Sequence, residues 1–271
     1  MSTDAETGDT REDDGSDEVS TVDVLADVRR VLQTERRRTK DEAEALEAFR
    51  EQIGRVRTEA PSIDRTPAST GSLVGRRSGG GLEAVREAYE TTVMRVPHYE
   101  SDYDDNYAES LTVEFGPEMA GALIEGAVLE PSCKRLLITA TTEAVDKRHR
   151  FLERIAAERS AVETAETRLL PIVAELSEYE TDGLDRRSFG TLDAYRTRLS
   201  VLGARCDDIA AERQRRIQSE TLQRSGPVRD LQTYLYQEFE RTYPVLGAIV
   251  DVADAVRTAR QEVSRAIGYC R

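Results

Sequence analysis

Apolar residues recur at alternating spacings of three and four between residues 21 and 58. Leu25, Leu32, Leu46 and Ile53 share one heptad position, with Thr39 interrupting the series. Val28, Phe49 and Val56 share the other, with Glu35 and Glu42 interrupting. This spacing draws an apolar stripe along one face and predicts an amphipathic coiled-coil helix. The stripe weakens over residues 36–42. Glu35 and Glu42 either limit its register or mark loose packing. The Ser20–Asp23 spacing resembles a capping box, with Asp in place of the usual Glu.

A longer periodic stretch covers residues 132–180. Ile155, Val162, Leu169 and Leu176 fall on one heptad position, and Leu137, Ala144, Phe151, Ala165, Ile172 and Tyr179 on the other. Glu143–Lys147 and Asp146–Arg150 add i,i+4 pairs in the favourable order. Pro171 removes one hydrogen bond inside the pattern and predicts a kink near residues 167–171. Asp182-Gly183 marks a turn. Residues 188–224 then repeat the pattern with Leu192, Tyr195, Leu199, Leu202, Cys206 and Ile209. Two striped helices joined by a short turn predict an antiparallel hairpin.

Shorter elements surround the hairpin. One helix is predicted from Leu82 to Arg95, stopping before Pro97. A second begins at Pro117 after Gly116 and ends near Gly126. Past Gly226-Pro227, a short helix carries Leu231, Leu235 and Phe239, and a last one starts at Pro244. No strand pattern of useful length appears. The expected fold class is all-α: a long antiparallel coiled-coil or helical-hairpin bundle with a cap of short helices.

The expected organisation is a disordered acidic tail (1–20), the coiled-coil helix (21–58), a flexible linker (59–81) and an all-α domain (82–268). That domain divides into short helices (82–131), the long hairpin (132–224) and short C-terminal helices (228–268). The linker reading rests on Pro61, Pro67 and the Gly79-Gly80-Gly81 run. On this division, the domain stays folded when residues 1–60 are deleted.

Charge sharpens the picture. The 271 residues hold 52 acids against 38 bases, for a net charge of −14. The excess is local: residues 1–20 carry eight acids against Arg11, and residues 95–130 carry nine against Arg95, leaving the long helices balanced. Only 3 of the bases are lysines (Lys40, Lys134 and Lys147). Acid excess with scarce lysine is the signature of a protein kept soluble in concentrated salt. No run approaches the length of a membrane span. The acidic N-terminus is unlike a secretory leader, so a cytoplasmic location is expected. Cys133, Cys206 and Cys270 are widely separated and read as reduced thiols.

Candidate chemistry is sparse. His98 and His149 lack a second ligand at metal-binding spacing. Asp102-Tyr103-Asp104-Asp105-Asn106 opens like a calcium loop but has Tyr107 and Val113 where Gly and Glu are needed. There is no Gly-x-Ser-x-Gly elbow, and the glycine run at 79–81 follows no strand, as a phosphate loop would require. No catalytic residue, metal ligand or cofactor is assigned. Tyr99, Tyr103 and Tyr107, spaced by four among acids, are either a packing stripe or a docking face for a partner. Basic clusters at Arg36–Lys40, Lys147–Arg150 and Arg213–Arg216 have acids nearby and read as solvated faces.

Three stretches resemble a known family. They are Val85-Arg86-Glu87-Ala88-Tyr89-Glu90-Thr91-Thr92-Val93-Met94-Arg95-Val96-Pro97-His98-Tyr99, Glu114-Phe115-Gly116-Pro117-Glu118, and Tyr234-Leu235-Tyr236 with Thr242-Tyr243-Pro244-Val245-Leu246. Together they are similar to a haloarchaeal family of helical, coiled-coil-rich proteins with a domain of unknown function, over about residues 22–268. The resemblance implies a halophilic source and an all-α fold, and transfers no activity.

The expected function is therefore a non-enzymatic helical scaffold or protein-interaction module, acting on a protein partner or on itself through its helical stripes. The alternative is a regulatory accessory that touches nucleic acid through a basic helix face. Molar salt disfavours it, because phosphate-driven affinity falls steeply with ionic strength. An enzyme built on His98 and Arg95 is the third reading.

Overall fold

The computed structural model describes residues 21–58, 80–179, 183–222 and 230–269. The acidic tail, Ser20, the linker up to residue 79 and Cys270 lie outside them. Among the described residues the structure is all-α, with nine α-helices and no strand.

The four long helices are α1 (Thr21–Arg55), α6 (Pro131–Ser177), α7 (Phe189–Leu222) and α9 (Pro244–Tyr269). The short ones are α2 (Gly80–Thr92), α3 (Tyr99–Asp102), α4 (Tyr107–Phe115), α5 (Pro117–Ile124) and α8 (Leu231–Leu235). At 1.5 Å per residue, the 47 residues of α6 span about 70 Å.

α1 runs antiparallel to α6. Arg29 pairs with Glu166, Arg148 with Glu42, and Lys134 donates to the carbonyls of Gly54 and Val56. α6 runs antiparallel to α7 through Arg154–Glu220, Glu158–Arg213 and Glu175–Arg198. The expected hairpin is thus present, but it is not the tightest unit. α1 packs most extensively on α6, and α7 on α9. In the second pair, Gly203 on α7 lies against Val256 on α9. The expected short helix at Pro244 is a full bundle helix. Its stripe of Val245, Ile249, Val252, Val256 and Val263 is buried along the whole length.

Two cores hang on one pair of rods. The first joins Leu25, Val28 and Leu32 of α1 to Ile155, Val162 and Leu169 of α6 and to the buried stripes of α7 and α9. The second joins Phe49 and Ile53 of α1 and Leu137 of α6 to Val85 and Tyr89 of α2, Leu111 of α4 and Leu123 of α5. α1 therefore contributes buried residues to both. A helix whose apolar face is buried in two cores is a structural member of each.

Local signals set the short elements. Asn106 caps α4 by accepting from the N–H groups of Ala108 and Glu109, while the Glu109 carboxylate accepts from the Asn106 N–H. This reciprocal box satisfies two otherwise orphaned donors. Gly116, at φ 85°, turns the chain from α4 into α5, a conformation that other residues resist. Pro117 follows at the start of α5. Pro171 lies inside α6 without ending it, flanked by fully buried Leu169 and Ile172.

Candidate functional site

The two stripe interruptions of α1 face the boundary between the cores. Glu42 there gathers three donors. Its Oε1 accepts from Tyr103 OH at 2.8 Å and from His98 Nε2 at 3.3 Å, and its Oε2 accepts from Arg148 Nε at 3.2 Å. Arg148 then grips both oxygens of Glu114 at 2.6 Å. Glu35, one heptad earlier, accepts from Tyr234 OH at 2.7 Å. Arg38 reaches Asp102 at 3.4 Å. The result is a polar seam linking α1, α3, α4, α6 and α8.

Burial works against the Arg148 charge, but Glu114 and Glu42 more than offset it and hold its pKa above the ordinary value. The Tyr103 and Tyr234 phenols are pushed up by burial, and further by Glu42 and Glu35 respectively. Protonated phenols donating to carboxylates satisfy both partners. Every ionisable group of the seam is spent on another.

The structure separates the three sequence-selected tyrosines. Tyr99 is buried: its OH donates to Ser110 Oγ at 2.7 Å and to Asp105. Burial and Asp105 push its phenol up to about 12. Tyr103 is 46% exposed, with its ring 5.4 Å from that of Tyr99. Tyr107 starts another helix and stacks edge-on against Tyr89, with the Arg86 guanidinium 5.0 Å from its ring centroid. Its buried OH has no hydrogen-bond partner among the described residues. The three do not form one helical face, because α3 ends at Asp102 and the chain turns through Asp104 at φ 44°.

The calcium-like acids have other occupations. Asp102 meets Arg38, Asp105 meets Tyr99, and Asn106 caps α4. No group of three His, Cys, Asp or Glu arranged for a metal occurs among the described residues. His98 is buried against Glu42, while Arg95 is exposed. The basic clusters are partly committed: Arg37 to Asp41, Lys40 to Glu44, Arg148 to Glu42 and Glu114, and Arg216 to Glu212. Burial raises the pKa of the Cys133 and Cys206 thiols, opposite to the shift a nucleophile needs.

A second polar cluster is fully interior, and sequence reading placed one of its members on a solvated face. Arg213 of α7 holds Glu158 of α6 at 2.9 and 2.6 Å and donates to Gln232 Oε1 at 2.9 Å, while Tyr236 OH donates to Glu158 at 2.7 Å. Arg213 and Glu158 fall within helical stripes, and that position was the available signal. Arg213 Nε borders a cavity of about 10 Å³, room for about one water.

On the α1–α6 pair lies an open groove of about 430 Å³. Ala43, Leu152 and Ala156 line its floor; Arg36, Lys40, Glu44, Glu47, His149 and Glu153 line its rims. Small floor residues let a helix approach closely, and mixed rim charge suits a charged helix better than a small apolar ligand.

The fold and its sites define an all-α bundle whose more buried ion pairs, Arg213–Glu158, Arg154–Glu220 and Arg148 with Glu42 and Glu114, join separate helices. No helix of the described residues is long and apolar enough to cross a membrane. Residues 23–260 match the model for the domain of unknown function DUF7260, and the chain belongs to that family. Searches of curated proteins and of solved structures find no match.

Proposed function

We propose that the protein is a non-enzymatic helical scaffold that binds another polypeptide through the α1–α6 groove. The observation carrying this reading is the groove itself: open, lined by Ala43, Leu152 and Ala156 and bordered by both signs of charge. The polar seam beside it acts as a brace, since Glu42, Arg148 and Glu114 saturate one another. Acid excess and scarce lysine further support work in a salt-rich cytoplasm of a halophilic archaeon.

A photo-reactive side chain at Ala156 tests the reading, with one at exposed Val250 on α9 as control. The expected result is nuclease-insensitive adducts to protein from Ala156 and none from Val250. Absence of adducts, or adducts lost on nuclease treatment, overturns it; the latter outcome favours the nucleic-acid accessory.

A further inference from the structure

Charge along α1 is divided at its middle. Residues 29–40 hold six bases (Arg29, Arg30, Arg36, Arg37, Arg38 and Lys40) against Glu35. Residues 41–51 hold five acids (Asp41, Glu42, Glu44, Glu47 and Glu51) against Arg50. A helix divided in this way is complementary to its own antiparallel image. The groove samples both halves: Arg36 and Lys40 on one side of the divide, Glu44 and Glu47 on the other. Arg36 pairs with no carboxylate among the described residues. Lys40 and Glu44 share only an exposed contact within one helical turn, 3.2 Å, and Glu47 meets His149 at 3.7 Å.

We propose that the groove seats the same face of a second copy of the chain, α1 antiparallel to α1 about a two-fold axis near Asp41 and Glu42. This deepens the interaction-module reading and rests on it. An isologous interface brings residue i to residue j and j to i. With the axis there, Arg36 meets Glu47 of the other copy, and Lys40 meets its Glu44. Symmetry doubles each pair. Ala43 and Ala156 allow the close approach, and Leu152 supplies apolar cover. A parallel copy would set base against base, so the charge division also fixes the orientation.

Three measurements test this. The first is sedimentation of the full chain across concentration, at about 0.15 M and at higher salt, where the Debye length shortens. The expected result is a reversible dimer whose charge pairs weaken as salt rises but which persists at molar salt on the apolar contacts of Ala43, Leu152 and Ala156; a monomer at every concentration, or full dissociation at molar salt, overturns the proposal. The second uses the charge-reversal pairs R36E/K40E and E44K/E47K. Each alone is expected to lose dimerisation by at least about tenfold, because like charges then face one another. Their equimolar mixture is expected to form a heterodimer. Variants that dimerise alone, or a mixture that stays monomeric, overturn it. Circular dichroism reports whether each variant folds.

The third measurement needs no variant. A zero-length carbodiimide joins lysine to carboxylate, and Lys40 is one of only 3 lysines. With isotopically labelled and unlabelled chains mixed, an isopeptide between Lys40 of one and Glu44 of the other is expected. Interchain products lacking Lys40 overturn the proposal. A monomeric chain that still forms adducts to a different protein from Ala156 sinks the dimer and leaves the interaction-module reading standing.

Discussion

Arg213 and Glu158 form a two-pronged ion pair in the core between α6 and α7, with both side chains at least nine-tenths buried. Breaking one partner strands the other charge in a low-dielectric interior. Arg213→Met is therefore expected to lower stability by about 3–5 kcal/mol in a denaturant melt. Pairing it with Glu158→Leu is expected to recover most of that loss, since two apolar side chains leave no orphan charge. A double variant as unstable as the single one would contradict this.

The same pair sets an acid limit. Burial opposes ionisation of Glu158, but Arg213 and the hydrogen bond from Tyr236 outweigh it and hold the carboxyl below its ordinary 4.5. A lowered folded value means the contribution is complete above 4.5 and is lost as pH falls through the folded value. Stability measured across that range is expected to fall less steeply in Glu158→Gln than in the wild-type chain.

Alkali acts through the phenols. Tyr89, Tyr99, Tyr103, Tyr107, Tyr234 and Tyr236 are all pushed above their ordinary 10.0, chiefly by burial. A raised folded value keeps stability intact below 10.0 and erodes it as pH climbs beyond. Tyrosinate absorbance is expected to appear together with loss of helical ellipticity. Ionisation of all ten tyrosines near 10 in a folded chain would refute this.

Glu42 tests the seam. Glu42→Leu continues the apolar stripe of α1 but leaves His98 and Tyr103 without their acceptor. The expected cost is about 1–3 kcal/mol, because the orphaned donor of buried His98 outweighs the added apolar contact. Equal or greater stability than wild type in a thermal melt would show that the seam braces nothing.

Removal of residues 1–58 is expected to abolish cooperative melting. Leu25, Val28 and Leu32 leave one core and Phe49 and Ile53 the other. A truncated chain that melts sharply with full residual helicity would contradict this.

Helix positions were legible in the sequence because stripe spacing reports directly on burial. Leu25, Leu32, Leu46 and Ile53 are all buried, and even the interrupting Thr39 is, its OH donating to the Glu35 carbonyl at 2.9 Å. Pairing between helices was less legible: α6 and α7 adjoin in sequence, but α7 packs more extensively on α9, which no local pattern reports. Helix α4 was missed although Asn106 and Glu109 spell its cap. Arg213 was misplaced because residues 213–216 look like a surface cluster until Glu158, 55 residues away, is set opposite. The fates of Tyr99, Tyr103 and Tyr107 turned on one break after Asp102 that a spacing of four cannot show.

Helices α1 and α6 pass unbroken through both cores, which makes them a shared spine. Leu137 sits in one core and Leu169 in the other, about 48 Å apart along a single helix. A rotation or slip of that helix forced at one end must therefore appear at the other. The end built from α2, α4 and α5 and the far tip of the bundle are thus joined by continuous helix rather than by loops.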